Sequence, residues 1–173
     1  MRNIYKITAL MLAVLMFALP FTGCDLFKSE PVEKAFDVGG IKITLDDTYT
    51  STVSNDTGNV TFISSDSGCA IVAKKEAFSR LEELEYKIDE VSAKKYAEII
   101  VEDNKIETRI VEEGQLVYFE HTVTNTGDSG VFKYFTAVYK SNEAFWTVHF
   151  GCNEEAYTAN RADFVKFALT VAF

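Results

Sequence analysis

After Phe36 the alternation of apolar and polar positions is mainly that of β-strands. Ile41, Ile43 and Leu45 alternate with Lys42 and Thr44 behind the turn residues Val38-Gly39-Gly40, which predicts a strand over 41–45. Val60–Ser64 and Cys69–Lys75 read as strands joined by Ser65-Asp66-Ser67-Gly68, residues suited to a tight turn. Between these regions Thr48 to Asn59 is polar and ends in Thr57-Gly58-Asn59, a loop or weak hairpin. Four closely spaced strands come later: Ile106–Val111, Gln115–Thr124, Val131–Lys140 and Ala144–Cys152. Their connections are short enough to make an antiparallel meander.

Helical periodicity occurs in three places. Ser79-Arg80-Leu81-Glu82 has the form of a capping box and predicts a short helix to about Tyr86. From Ser92 to about Glu102, Ala93, Ala97 and Ile100 share one face, with Tyr96 beside them and Lys94, Lys95 and Glu98 largely opposite. Asn153 suits the N-cap of a last helix from Glu154 to about Ala168. There Tyr157, Arg161, Phe164 and Ala168 share a face, and the Arg161 stem can lie along apolar surface. Leu169–Phe173 forms an apolar extended tail.

In the later strands both alternating sets are apolar or aromatic. Phe132, Tyr134 and Val138 oppose Val131, Phe135, Ala137 and Tyr139; Trp146, Val148 and Phe150 oppose Phe145. Such a sheet must be covered on both faces. Helices before and after the meander can supply the covers. The expected fold is therefore α+β, a three-layer α/β/α sandwich around an antiparallel sheet of about six to seven strands.

This order of elements resembles the PsbP-like family. The features carrying the likeness are the opening strand Ile41-Lys-Ile-Thr-Leu45, the helix with Tyr96-Ala97-Glu98-Ile99-Ile100, and Val131-Phe-Lys-Tyr-Phe-Thr-Ala-Val-Tyr139. To these are added Phe145-Trp-Thr-Val-His-Phe150 and the ending Phe164-Val-Lys-Phe-Ala-Leu-Thr-Val-Ala-Phe173. The resemblance spans about 36–173 and implies the same sandwich. It implies no active-site residue, because the family's partners differ from member to member.

The N-terminus predicts an address. Arg2 and Lys6 precede an apolar run from Ile7 to Leu19, broken only by Thr8. As a helix this run rises about 20 Å, short of a ~30 Å hydrocarbon core. The length fits the apolar region of an export signal, and Pro20 leaves the residues after it extended. Phe21-Thr22-Gly23-Cys24 resembles the lipobox of bacterial lipoproteins, in which small residues precede a cysteine that is lipidated. Phe21 stands where leucine is usual. The reading is a signal peptide over 1–23, lipidated Cys24 with a short tether over 24–35, and one domain over 36–173. The expected location is the extracytoplasmic face of a cell membrane in the bacterial envelope, held by lipid on Cys24.

Charge narrows the partners. Residues 24–173 hold all 26 acids against 15 of the 17 bases, a formal charge of −11. Such a surface repels phosphate backbones, so no nucleic acid is expected, and it repels anionic lipid head groups. Cys69 and Cys152 are left as an even pair; they are a possible disulfide or two buried free thiols. No pair has CxxC spacing, so neither zinc nor redox catalysis is indicated.

Catalytic candidates are few. The histidines are His121 and His149, both in predicted strands, and Glu120 or Asp128 could orient one of them for hydrolysis. Against that, GxSxG, HExxH and a glycine-rich phosphate loop are missing from the sequence. Asp46-Asp47 and Glu112-Glu113 lack the alternating ligands of a calcium loop, and Asp66-Ser67-Gly68 and Asp128-Ser129-Gly130 suit ordinary turns. No metal and no cofactor are expected. The 14 Phe, 8 Tyr and single Trp pack a doubly covered sheet; an exposed group among Tyr49, Tyr118, Tyr134 and Tyr139 would instead point to a ligand surface.

The expectation is a monomeric, non-enzymatic binding or accessory module for an envelope protein partner. The alternatives are a carrier of an apolar or lipid ligand between sheet and helix, and a hydrolase using His121 or His149.

Overall fold

The structure, a computed structural model, describes residues 31–124 and 130–173. The chain opens with a hairpin of β1 (Glu33–Val38) and β2 (Ile41–Asp46), paired from Glu33 opposite Asp46 to Val38 opposite Ile41. This first strand begins inside the stretch read as a tether. Gly39 and Gly40 make the two-residue turn with φ of 61° and 84°, the left-handed conformations that such hairpins require. A side chain at Gly39 would also strike Val60.

The remaining strands form one antiparallel sheet. They are β3 (Tyr49–Val53), β4 (Val60–Ser64), β5 (Ala70–Ala77), β6 (Val111–Glu113), β7 (Leu116–Thr124), β8 (Val131–Lys140) and β9 (Ala144–Asn153). Their spatial order is β3-β4-β5-β9-β8-β7-β6. β9 returns from the meander and inserts between β8 and β5. That central place explains why nine of its ten residues are buried.

One face of the sheet packs on the hairpin and on α3 (Glu154–Ala168). Ile41, Ile43 and Leu45 join Phe62, Ile71, Phe135, Trp146, Val148, Phe150, Tyr157 and Phe164 in this larger core. The other face packs on α1 (Phe78–Glu82) and α2 (Ala93–Asp103). There Leu81, Val91, Tyr96 and Ala97 meet Val117, Phe119, Val138 and Phe145, and the Tyr96 ring stacks on Phe145 at 4.3 Å. Burying each such ring contributes about 1.5–3 kcal/mol. The three-layer α+β sandwich predicted from the two-sided strands is the fold observed.

The caps of the long helices form as the sequence indicates. Ser92 Oγ accepts from the Lys95 amide at 3.1 Å and Asn153 Oδ1 from the Ala156 amide at 2.8 Å. The Ser79 capping box does not form. β5 runs directly into α1, Ala77 occupies the N-cap, and no side chain caps it. Two further expectations change. The polar Thr48–Asn59 contains an edge strand, β3. Ile106–Ile110 is irregular, with only Val111–Glu113 pairing to β7. The tail is tied down: the Lys42 amide donates to Ala172 O at 2.8 Å, and the Phe173 ring stacks on Trp146 at 4.9 Å.

Candidate functional site

The stretch expected to be an export signal, Cys24 and the residues as far as Glu30 lie outside the described residues, as does Asp128. No helix among the described residues is long and apolar enough to cross a membrane. What the structure places are the histidines, the cysteines and the acids.

The antiparallel register sets the histidine geometry. Phe119 of β7 stands opposite Thr136 of β8, which stands opposite His149 of β9, which stands opposite Val72 of β5. Two residues further along, His121, Tyr134, Gly151 and Ala70 form the next row, which continues to Ile63 of β4 and Thr50 of β3. Side chains directly opposite share a face. Both histidines therefore lie on the α2 side of the sheet, in adjacent rows. His149 Nδ1 and Thr136 Oγ1 share a hydrogen bond at 3.0 Å. His121 stacks on the Tyr134 ring, 5.1 Å between centroids, and its buried Nδ1 has no partner.

Burial keeps both rings neutral. Desolvation lowers His149 to about 3, with further depression from the Lys74 ammonium and from His121. Desolvation alone lowers His121 to about 4. A hydroxyl paired with a neutral imidazole is the start of a nucleophile and base. Here the Thr136 side chain is 0% exposed and His149 8%, so no substrate reaches the oxygen. The carboxylate expected to orient a histidine is also on the wrong side. Glu120 adjoins His121 in a strand and therefore points to the opposite face.

There Glu120 anchors α3. Arg161 Nη2 donates to Glu120 Oε1 at 2.7 Å and Arg161 Nε to the same oxygen at 3.1 Å, while the Tyr157 hydroxyl donates to Oε2 at 2.6 Å. Burial opposes ionisation of Glu120, but these bonds and the nearby Lys133 hold its carboxyl below the ordinary range. Lys133 also lies over the Tyr157 ring at 4.9 Å. The sequence carries a partial signal for this cluster, an arginine inside the apolar stripe of α3, but no indication of its carboxylate partner.

The acids in turns do structural work. Asp47 Oδ1 accepts from the Val32 amide at 3.0 Å, and Asp46 accepts from the Thr48 amide and hydroxyl. Glu112 pairs with Lys94 at 3.3 Å. In the turn after β4, Ser64 Oγ accepts from the Asp66 and Ser67 amides. Among the described residues no three His, Cys, Asp or Glu side chains gather to hold a metal.

The tyrosines separate clearly. Tyr49 and Tyr118 are buried, and the Tyr139 hydroxyl donates to Ala168 O at 2.8 Å. None of the four is exposed; Tyr134, like Tyr139, is half-buried. The Tyr134 ring lies across Gly151, where an added Cβ would enter its space. Around it Val123, Phe132, His121 and Ala70 are half-buried, and Ile63 is 39% exposed. This end of the sheet face lies beyond the core under α1 and α2. A separate shallow cleft of about 250 Å³ is bounded by Phe36, Lys42, Ile43 and Thr170 on the β1–β2 hairpin, rather than between sheet and helix.

Comparison with known proteins gives a likeness of fold. No protein-family model matches the chain, and no curated protein matches it in sequence. Among solved structures it is similar to a protein from Bacteroides thetaiotaomicron, with 12% identity and a TM-score of 0.50 over 80% of this chain and 47% of the other. The chain thus spans about half the length of that protein. It is also similar to the cyanobacterial PsbP protein CyanoP from Synechocystis, with 11% identity and a TM-score of 0.49, over 87% of this chain and 96% of that one.

Proposed function

We propose that the protein is a lipid-anchored accessory module of the bacterial envelope that binds a protein partner through the open end of its sheet. The observation that carries this reading is the row His121–Tyr134–Gly151–Ala70–Ile63. Five adjacent strands present it on a face that the helices cover elsewhere. A rigid, flat, partly aromatic surface suits docking, where tyrosine offers large contact area at low entropic cost. The inaccessible Thr136 hydroxyl and the turning of Glu120 to the α3 face, away from the histidines, favour binding over hydrolysis. The formal charge of −11 on residues 24–173 selects a basic partner and disfavours anionic lipid or nucleic acid. Lipid on Cys24 supplies the attachment in this reading.

Two experiments test it. A photo-reactive side chain at Ile63, in cells producing the full chain, is expected to capture one reproducible envelope protein. The same group at Lys166, on exposed α3 surface, is expected not to capture it, and Tyr134→Ala should weaken the Ile63 adduct. No adduct at Ile63, or equal adducts at both positions, refutes the docking surface. Labelled fatty acid should enter the wild type and not Cys24→Ala; equal labelling refutes the anchor.

A further inference from the structure

We infer that Cys69 and Cys152 form a disulfide that staples the turn before β5 to the end of β9. The pairing of these strands reaches Ala70 opposite Gly151, so the next residues outward, Cys69 and Cys152, stand across from one another. Both thiols are free in the structure, fully buried, and part of the same core. Directly opposite residues in an antiparallel pair have Cα atoms roughly 4.5–5.5 Å apart. That interval falls inside the roughly 4.4–6.8 Å that a disulfide spans. Both side chains share the α3 face, so no strand needs to rotate for the sulfurs to meet.

The two thiols already interact. The neighbouring Cys152 thiol lowers the Cys69 thiol against the opposing effect of burial, while Cys69 and burial together raise Cys152. Cys69 also follows the exposed Gly68 in a turn, and its Sγ is 3.7 Å from Ser67 O. Because Cys69 is 0% exposed in the closed core, exchange begins when the turn before β5 opens or before the core closes. Cys69, beside that turn, is then the attacking thiolate. It displaces one thiolate from a small-molecule disulfide and forms a mixed disulfide. Cys152 then loses its proton and attacks the Cys69 sulfur, releasing the second thiol. Two protein thiols are oxidised to one disulfide, the oxidant disulfide is reduced to two thiols, and the two protons pass to the leaving sulfurs.

The test uses the full chain, purified reduced in detergent and then either incubated folded or refolded from urea with oxidised and reduced glutathione. Thiols are blocked, the chain is cut with trypsin without reduction, and peptides are weighed. The expected product joins Ile43–Lys74 to Ser141–Arg161, with Cys24 in a separate peptide. Linkage after either treatment supports the inference; linkage only after refolding shows that the bond forms before the core closes. Free thiols at 69 and 152 after both treatments overturn it. So do glutathione adducts at both positions, or a bond from either to Cys24. The result depends on neither the lipid anchor nor the docking surface.

Discussion

The two neutral histidines make stability depend on pH in a window where the carboxylates contribute little. An unfolded histidine protonates near its ordinary value of about 6.5. In the fold burial lowers His121 to about 4 and His149 to about 3. Between these limits the unfolded chain binds protons that the folded chain does not. The contribution is fully present above about pH 6.5 and is lost as pH falls toward the folded values. At pH 5 the deficit is 1.5 pH units below the unfolded value, or about 2 kcal/mol per histidine and about 4 kcal/mol for the pair. That is a large part of the ~5–15 kcal/mol that stabilises a domain. Burial raises Glu76 and Asp103, an effect of opposite sign whose contribution is lost as pH rises from their unfolded values through the folded ones. Urea unfolding at pH 7 and pH 5, at fixed ionic strength, measures the difference through the midpoint at constant slope. His121→Phe keeps the stack on Tyr134, removes the unpartnered Nδ1, and should lose only about 2 kcal/mol over the same interval. An unchanged wild-type midpoint, or a His121→Phe loss equal to the wild type's, would refute the argument.

Other substitutions test other contacts. Glu120→Ala strands the Tyr157 hydroxyl and Arg161 and should cost about 1–3 kcal/mol in urea unfolding; Glu120→Gln, which keeps the acceptor and loses the charge, should cost less. Because the Glu120 carboxyl is held low, its contribution should be fully present above the ordinary carboxylate value and vanish as pH falls through the folded value. Gly151→Ala drives a methyl into the Tyr134 ring and should cost about 1–3 kcal/mol; combined with Tyr134→Ala, most of that added cost should disappear in a double-mutant cycle. If the Cys69–Cys152 bond forms, it closes a long loop, and reducing it should lower stability by about 4.5 kcal/mol in the chain-entropy account. The corresponding measurement is the urea midpoint with and without reductant.

Several elements are legible because one residue type has one available role. Val131–Lys140 and Glu154–Ala168 begin and end at abrupt changes of pattern, and Asn153 has an amide to cap. The edge strand β3 is not legible. Only Tyr49 of its five residues is buried, so no alternation can show. Ile106 and Ile110 mimic a strand, yet both pack in the cluster that contains α2, and the backbone between them is irregular. Ser79 matches a capping motif but lies beyond the helix start that β5 dictates. The candidate site depends on long-range order. That His121 and His149 share a face requires β7, β8 and β9 to be consecutive neighbours. That Cys69 faces Cys152 requires β9 to return beside β5, which no local pattern announces.

Period two also bears on the readings of the histidines. Glu120 and His121 are adjacent in sequence, and adjacency in a strand separates side chains instead of joining them. Glu120 is consumed by Arg161 and Tyr157 under α3, where its charge is compensated. His121 and His149 face the other way among Phe119, Tyr134 and Thr136, where burial leaves them uncharged. A carboxylate at 119 would share the histidines' face; Phe119 holds that place. The sheet thus puts its charged cluster on the α3 face, where it anchors a helix. The neutral histidines fall on the face whose far end α1 and α2 leave uncovered, where an uncharged aromatic surface would cost the proposed partner little desolvation.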